Sequence, residues 1–154
     1  MTRTGFVLTL LGTRAAAHAQ AASRARTDEW RIFDAVNQER ARRGIPALQW
    51  NSRLAEVARQ HSVAMATRGF FSHTDPLRGD LGRRLARAKV AYTSCAENIY
   101  RQSGSGDPAR RALEGWLASP GHRDAMLEPD FRETGLGAAS GPRNGCWITQ
   151  IFLA

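Results

Sequence analysis

Apolar residues recur at helical spacing through the first two thirds of the chain and alternate with polar ones only near its end. Thr27 is placed to cap a helix, with Asp28 and Glu29 in its first turn, Trp30, Phe33, Val36 and Asn37 following at helical spacing, and Gly44 as a left-handed stop. This predicts a first helix over about 28–43. After Leu48-Gln49-Trp50, Asn51 caps a second helix with the stripe Leu54, Val57, Ala58, His61, Ala64 and Met65, ended by Gly69. His61 lies on that stripe, which predicts a buried histidine held by hydrogen bonds rather than a ligand. Leu81, Leu85 and Ala88 mark a third helix. Asp107-Pro108 opens a fourth, with an Asp cap and Pro at the first helical position, carrying Leu113, Trp116 and Leu117 inward.

The strand signals are shorter. Glu97 to Tyr100 reads as one strand, Glu133 to Ser140 is rich in small residues, Gly141 to Gly145 is a turn cluster, and Cys146 to Leu153 alternates. Helices first and strands later, closed by a hairpin, predict an α+β domain with helices packed on an antiparallel sheet. The 154 residues hold one such domain with a sizeable core. No apolar run reaches the about 18 residues that a membrane span needs.

The N-terminus has the order of an export signal: Arg3, then the apolar run Gly5 to Gly12, then Ala17-His18-Ala19 as a small-x-small cleavage site, with Arg14 interrupting the apolar character. Residues 1–19 are therefore expected to be a signal peptide, 20–26 a linker without periodicity, and 27–154 the domain, in a secreted or periplasmic protein. The formal charge is +8, and removing Arg3 and Arg14 with the signal leaves 8 − 2 = +6. Its arginines are interleaved with acids and Lys89 is the only lysine, so no basic track for specific nucleic-acid binding is evident. Cys95 and Cys146 lack the spacing of a zinc knuckle or redox pair, and in an exported chain suggest one disulfide closing a loop of about 50 residues.

Several segments, taken together and in order, resemble the bacterial branch of the CAP superfamily (cysteine-rich secretory protein, antigen 5, pathogenesis-related 1; the SCP-like domain). They are Asn37-Gln38-Glu39-Arg40, Leu48-Gln49-Trp50-Asn51, Phe71-Ser72-His73, Ala96-Glu97-Asn98-Ile99, Trp116 through Arg123, and Trp147-Ile148-Thr149-Gln150. The resemblance implies a three-layer α-β-α sandwich with a central antiparallel sheet. It also implies a cleft that in eukaryotic members holds two histidines and two acids able to bind a divalent metal. His73 matches the first histidine and Glu97 the first acid, whereas Ser119 and Trp147 stand where the second acid and second histidine belong. A zinc site then requires His122 as a third ligand beside His73 and Glu97.

His73 and Glu97 admit three roles: metal ligands, an acid/base pair, or a hydrogen-bonded pair that fixes a loop on the sheet. The expected function is a ligand-binding or interaction module, with His73, Glu97, Ser119, His122 and Trp147 around the cleft and a small molecule, lipid or protein as partner to a monomeric protein. The alternative is a metal-assisted hydrolase acting on cell-wall or protein substrates through His73 and Glu97. Ser72, Ser119 and Thr74 are the available hydroxyls, but none sits in a recognisable nucleophile motif.

Overall fold

The structure is a computed structural model that describes the backbone of residues 5–154 and the side chains of residues 13–154; Arg3 lies outside the described residues. Its elements run α1 (Gly5–Arg42), β1 (Gln49–Trp50), α2 (Ser52–Arg68), α3 (Leu81–Arg87), β2 (Cys95–Gln102), α4 (Pro108–Ala118), α5 (Pro120–Leu127), β3 (Glu133–Gly141) and β4 (Gly145–Leu153). The strands form one sheet in the order β1-β3-β4-β2. Three strands pair antiparallel, and the two-residue β1 joins β3 in parallel.

Strand alternation divides the core between two faces. Leu136, Ala138, Ile148 and Phe152 point to one side, where they meet Ile32 and Val36 of α1, Trp116 of α4 and Met126 of α5. Ile151 and Leu153 point to the other, against Leu54, Val57 and Ala58 of α2 and Leu85 of α3, with Ile99, Ala139, Trp147 and Met65 continuing that face. The result is the three-layer α-β-α sandwich.

Two glycines set how closely α2 lies on the sheet. A Cβ at Gly137 would come within 2.0 Å of the Arg59 backbone nitrogen, and one at Gly135 within 2.2 Å of that of Ala55. The helix backbone therefore rests directly on β3. Its ends are fixed by Asn51, whose side chain accepts from the N–H groups of Arg53 and Leu54, and by Gly69 at φ 72°.

Several motif residues fasten segments together. The amide of Asn37 makes two hydrogen bonds to the Leu48 backbone, donating to its oxygen at 3.0 Å and accepting from its nitrogen at 2.8 Å. The fully buried Arg40 donates to the carbonyls of Pro46, Met126, Glu128 and Phe131 at 2.8–3.1 Å. Trp116 fills the core and donates from Nε1 to the Ile99 oxygen at 3.1 Å.

Two expectations are corrected. Residues 20–26, read as a linker, lie within the continuous helix α1. Gln, Ala, Ser and Arg need no amphipathic period to be helical, and no Gly or Pro interrupts the chain between Gly12 and Gly44. Thr27 accordingly donates from its hydroxyl to the Ser23 oxygen, four residues back, instead of capping a helix. The disulfide is also absent, since Cys95 and Cys146 are both free. Cys95 pairs with Leu153, and Cys146 with Gln102, so the two lie 102 − 95 = 7 positions apart along the β2–β4 ladder. At about 3.3 Å per residue they are separated by roughly 23 Å, where a disulfide tolerates about 7 Å between Cα atoms. An antiparallel pair sets the start of one strand against the end of the other.

Candidate functional site

The edge strand β2 places consecutive residues on opposite faces, and both faces carry site residues. Glu97, paired in register with Ile151, faces α2 and α3, while Asn98, paired with Gln150, faces α4 and α5.

On the first face Glu97 is buried, its side chain 3% exposed, and three donors converge on it. Arg84 of α3 donates from Nη1 to Oε2 at 2.8 Å and from Nη2 to Oε1 at 3.0 Å, and His73 donates from Nδ1 to Oε1 at 2.9 Å. Arg84, itself 4% exposed at the side chain, also donates to the His73 carbonyl oxygen at 3.0 Å, which ties the loop between α2 and α3 to the strand. Burial alone would raise the Glu97 carboxyl, but the hydrogen bonds from His73 and Arg84 and the Arg84 charge hold it below the usual carboxylate range. Because Nδ1 carries the proton toward Glu97, the other ring nitrogen of the half-exposed His73 is turned to its surroundings.

Behind this pair lies His61 of α2, fully buried as its place on the apolar stripe predicts. Its Nε2 donates to the Ser72 carbonyl at 2.9 Å, so Nδ1 is an acceptor; that atom is buried and has no hydrogen-bond partner among the described residues. Burial pushes the imidazole down and keeps it neutral at pH 7.

On the second face the buried Asn98 donates from Nδ2 to the His122 carbonyl at 2.9 Å, and His122 Nδ1 and Ser119 Oγ lie 2.9 Å apart. Ser119 is the N-cap of α5, and His122 stands three residues on, so their contact closes the first turn of that helix. Desolvation lowers the pKa of His122, and the neighbouring His73 lowers it further across the strand edge. His73, Glu97, Ser119 and His122 therefore gather around one stretch of β2. Trp147 does not join them: it pairs with Arg101, four positions from Glu97 along the strand, and packs with Met65, Ile99 and Ala139.

These donors do not fit a divalent metal. Both Glu97 oxygens are engaged by Arg84, whose fixed positive charge would repel a cation placed beside them. Ser119 and Trp147 replace an acid and a histidine, and among the described residues no group of three or more His, Cys, Asp or Glu side chains is arranged for a metal ion. Of the candidate hydroxyls, Ser72 Oγ accepts from the Thr74 N–H at 3.1 Å and Ser119 Oγ meets His122, and neither hydrogen-bonds to His73.

Arg84 was not singled out from the sequence. Its signal was its position on the stripe formed by Leu81, Leu85 and Ala88, where an arginine is buried and therefore needs a partner. A larger cleft, about 960 Å³, lies between α1 and the segments 102–108 and 140–146. It is remote from this chemistry, and Ala17 in its wall belongs to the expected signal peptide.

The sequence profile of the cysteine-rich secretory protein family matches residues 33–152. The uncharacterized membrane protein YlbC of Bacillus subtilis is 40% identical over 127 residues, 82% of this chain and 34% of that protein. The uncharacterized protein YkwD of the same organism is 29% identical over 125 residues, 81% of this chain and 46% of that one. The chain thus spans less than half the length of either curated relative. Among solved structures, an extracellular protein containing an SCP domain from Bacillus anthracis superposes with a TM-score of 0.76 at 36% identity, covering 84% of this chain and 41% of that one. An outer surface protein of Borrelia burgdorferi gives 0.74 at 17% identity, covering 82% and 92%, and shows the shared fold.

Proposed function

Because the chain belongs to the cysteine-rich secretory protein (CAP) family, we propose that it is an exported ligand-binding or interaction module that works through the cleft around His73, Glu97, Ser119 and His122 without breaking bonds. The observation that carries this is the commitment of Glu97. A carboxylate held by a bidentate Arg84 and by His73 has both oxygens engaged beside a fixed positive charge and a depressed affinity for a proton, so it is a poor metal ligand and a poor general base. His73 is oriented as a base would be, but among the described residues no hydroxyl hydrogen-bonds to it.

The N-terminal pattern supports export, as does the extracellular source of the Bacillus anthracis relative. Cleavage after Ala19 would keep the described core contacts of α1: among the described residues those in the core, Ala25, Ile32, Phe33 and Val36, all follow that point. No described helix is long and apolar enough to cross a membrane.

The chain, expressed with a C-terminal tag in a bacterial host, is expected outside the cytoplasm with an intact mass lacking residues 1–19; retention of those residues on cytoplasmic protein would refute export. Purified protein incubated with casein or with cell-wall sacculi is expected to release no fragments. Fragment release that disappears in a folded His73→Ala variant would replace the binding module with a hydrolase.

A further inference from the structure

A second cleft, about 400 Å³, opens between α2 and α3; Arg84 lines it but His73 does not, and its chemistry is cationic. Arg53 and Arg78 line it together with Arg87, and none of the three has a carboxylate partner among the described residues. Arg53 donates only to the Lys89 carbonyl at 3.3 Å, and Arg78 to the Gln60 side-chain oxygen at 2.8 Å. Glu56 is the single acid in the wall, so with Arg84 neutralised by Glu97 the lining carries 3 − 1 = +2.

Two of the residues lining this cleft, Arg84 and His61, each carry a buried polar atom without a hydrogen-bond partner among the described residues. Arg84 spends both terminal nitrogens on Glu97 and the His73 carbonyl but leaves Nε–H unused, and His61 leaves Nδ1 unused after donating from Nε2. One is a donor and the other an acceptor, and both residues line the cleft. Leaving such atoms unmatched is costly, and a ligand presenting the complementary pair would recover that cost.

We propose that this cleft binds a small hydroxyl-bearing phosphomonoester. Phosphoryl oxygens accept from Arg84 Nε and from the guanidinium groups of Arg53, Arg78 and Arg87, and a hydroxyl of the ligand donates to His61 Nδ1. A carboxylate or a phosphodiester without a hydroxyl supplies acceptors alone and leaves His61 unmatched. The volume lies in the range of pockets that enclose small ligands. The site is independent of the cleft around His73, Ser119 and His122, because it uses none of those side chains to contact the ligand.

The test is calorimetric titration of the full chain with glycerol 3-phosphate at low ionic strength, with glycerol as the uncharged control and vesicles of phosphatidylcholine with lysophosphatidic acid, which keeps one glycerol hydroxyl, as a second source of the same hydroxyl-bearing phosphomonoester. The double variant Arg53→Ala/Arg87→Ala changes only exposed side chains, and Arg110→Ala removes a surface arginine elsewhere. Saturable binding at about 1 mM or tighter, weakened at least about tenfold in the double variant and unchanged in Arg110→Ala, is expected. Saturable binding to the vesicles alone, with the same variant response, assigns the phosphoryl group to a lipid headgroup. No saturable binding in either arm, or equal weakening by Arg110→Ala, overturns the proposal.

Discussion

Replacing Arg84 by methionine keeps most of the side-chain volume in its buried position and removes the guanidinium. Three hydrogen bonds disappear, two to Glu97 and one to the His73 carbonyl, and the Glu97 carboxylate is left buried with His73 as its remaining partner. Both partners are almost fully buried, at 4% and 3% side-chain exposure, so solvent screens little of the effect. Removing one member of such a pair costs about 3–5 kcal/mol. For a chain of this size that lowers Tm by roughly 6–20 °C, at about 2–4 °C per kcal/mol. Urea denaturation read by tryptophan fluorescence gives the free energy directly. Adding Glu97→Gln removes the stranded charge, so the double variant is expected to lose less than the sum of the two single losses, by about 1–3 kcal/mol. The cost also depends on pH in a defined direction. The folded carboxyl is depressed, so its contribution is fully present above the ordinary Glu pKa and is lost as pH falls through the folded value. The gap between wild type and Arg84→Met should therefore be widest near pH 7 and shrink below about pH 4. A loss below about 1 kcal/mol, or additive single losses, would refute the description of Glu97 as a locked, buried carboxylate.

Three further outcomes are expected. His61 is depressed by burial, so the unfolded chain binds the extra proton first and stability declines as pH falls below about 6.5; in His61→Gln, Tm measured between pH 7 and pH 5 should lose that part of its slope, and an unchanged slope would place the effect elsewhere. Gly137→Ala forces a methyl group into the Arg59 backbone, and calorimetry should show a loss of about 3 kcal/mol or more, whereas a loss under about 1 kcal/mol would mean α2 shifts freely on β3. Both cysteines should react with a thiol reagent in denaturant without prior reduction, while in the folded protein at pH 8 Cys146, pushed up to about 12 by burial, should stay unreactive; two unreactive thiols in denaturant would restore the disulfide.

The elements with a strong local signal were legible in the sequence. The stripe from Leu54 to Met65 and the caps Asn51 and Gly69 gave α2 almost to the residue, Asp107-Pro108 gave the start of α4, and the turn cluster Gly141 to Gly145 gave the start of β4, a strand buried on both faces rather than alternating. The motifs of the family placed His73 beside Glu97, which the fold brings to hydrogen-bonding distance. What escaped depended on how distant segments register. The cysteine pairing failed because sequence position says nothing about which ends of antiparallel strands meet, and the linker failed because helix propensity without amphipathicity leaves no periodic trace. Arg84 and the cleft beyond it share the same cause: Arg53, Arg78, Arg84 and Arg87 look scattered along the chain until α3 packs against α2.

The most direct test of the account is zinc titration by calorimetry on the full chain at neutral pH, with His73→Ala and His122→Ala alongside. Glu97 is held by Arg84 and the second acid and second histidine are replaced by Ser119 and Trp147, so no stoichiometric zinc binding at micromolar concentration is expected, and the two variants should behave as the parent does. One zinc bound per chain with micromolar or tighter affinity, lost in both variants, would contradict that account and establish a working metal cleft.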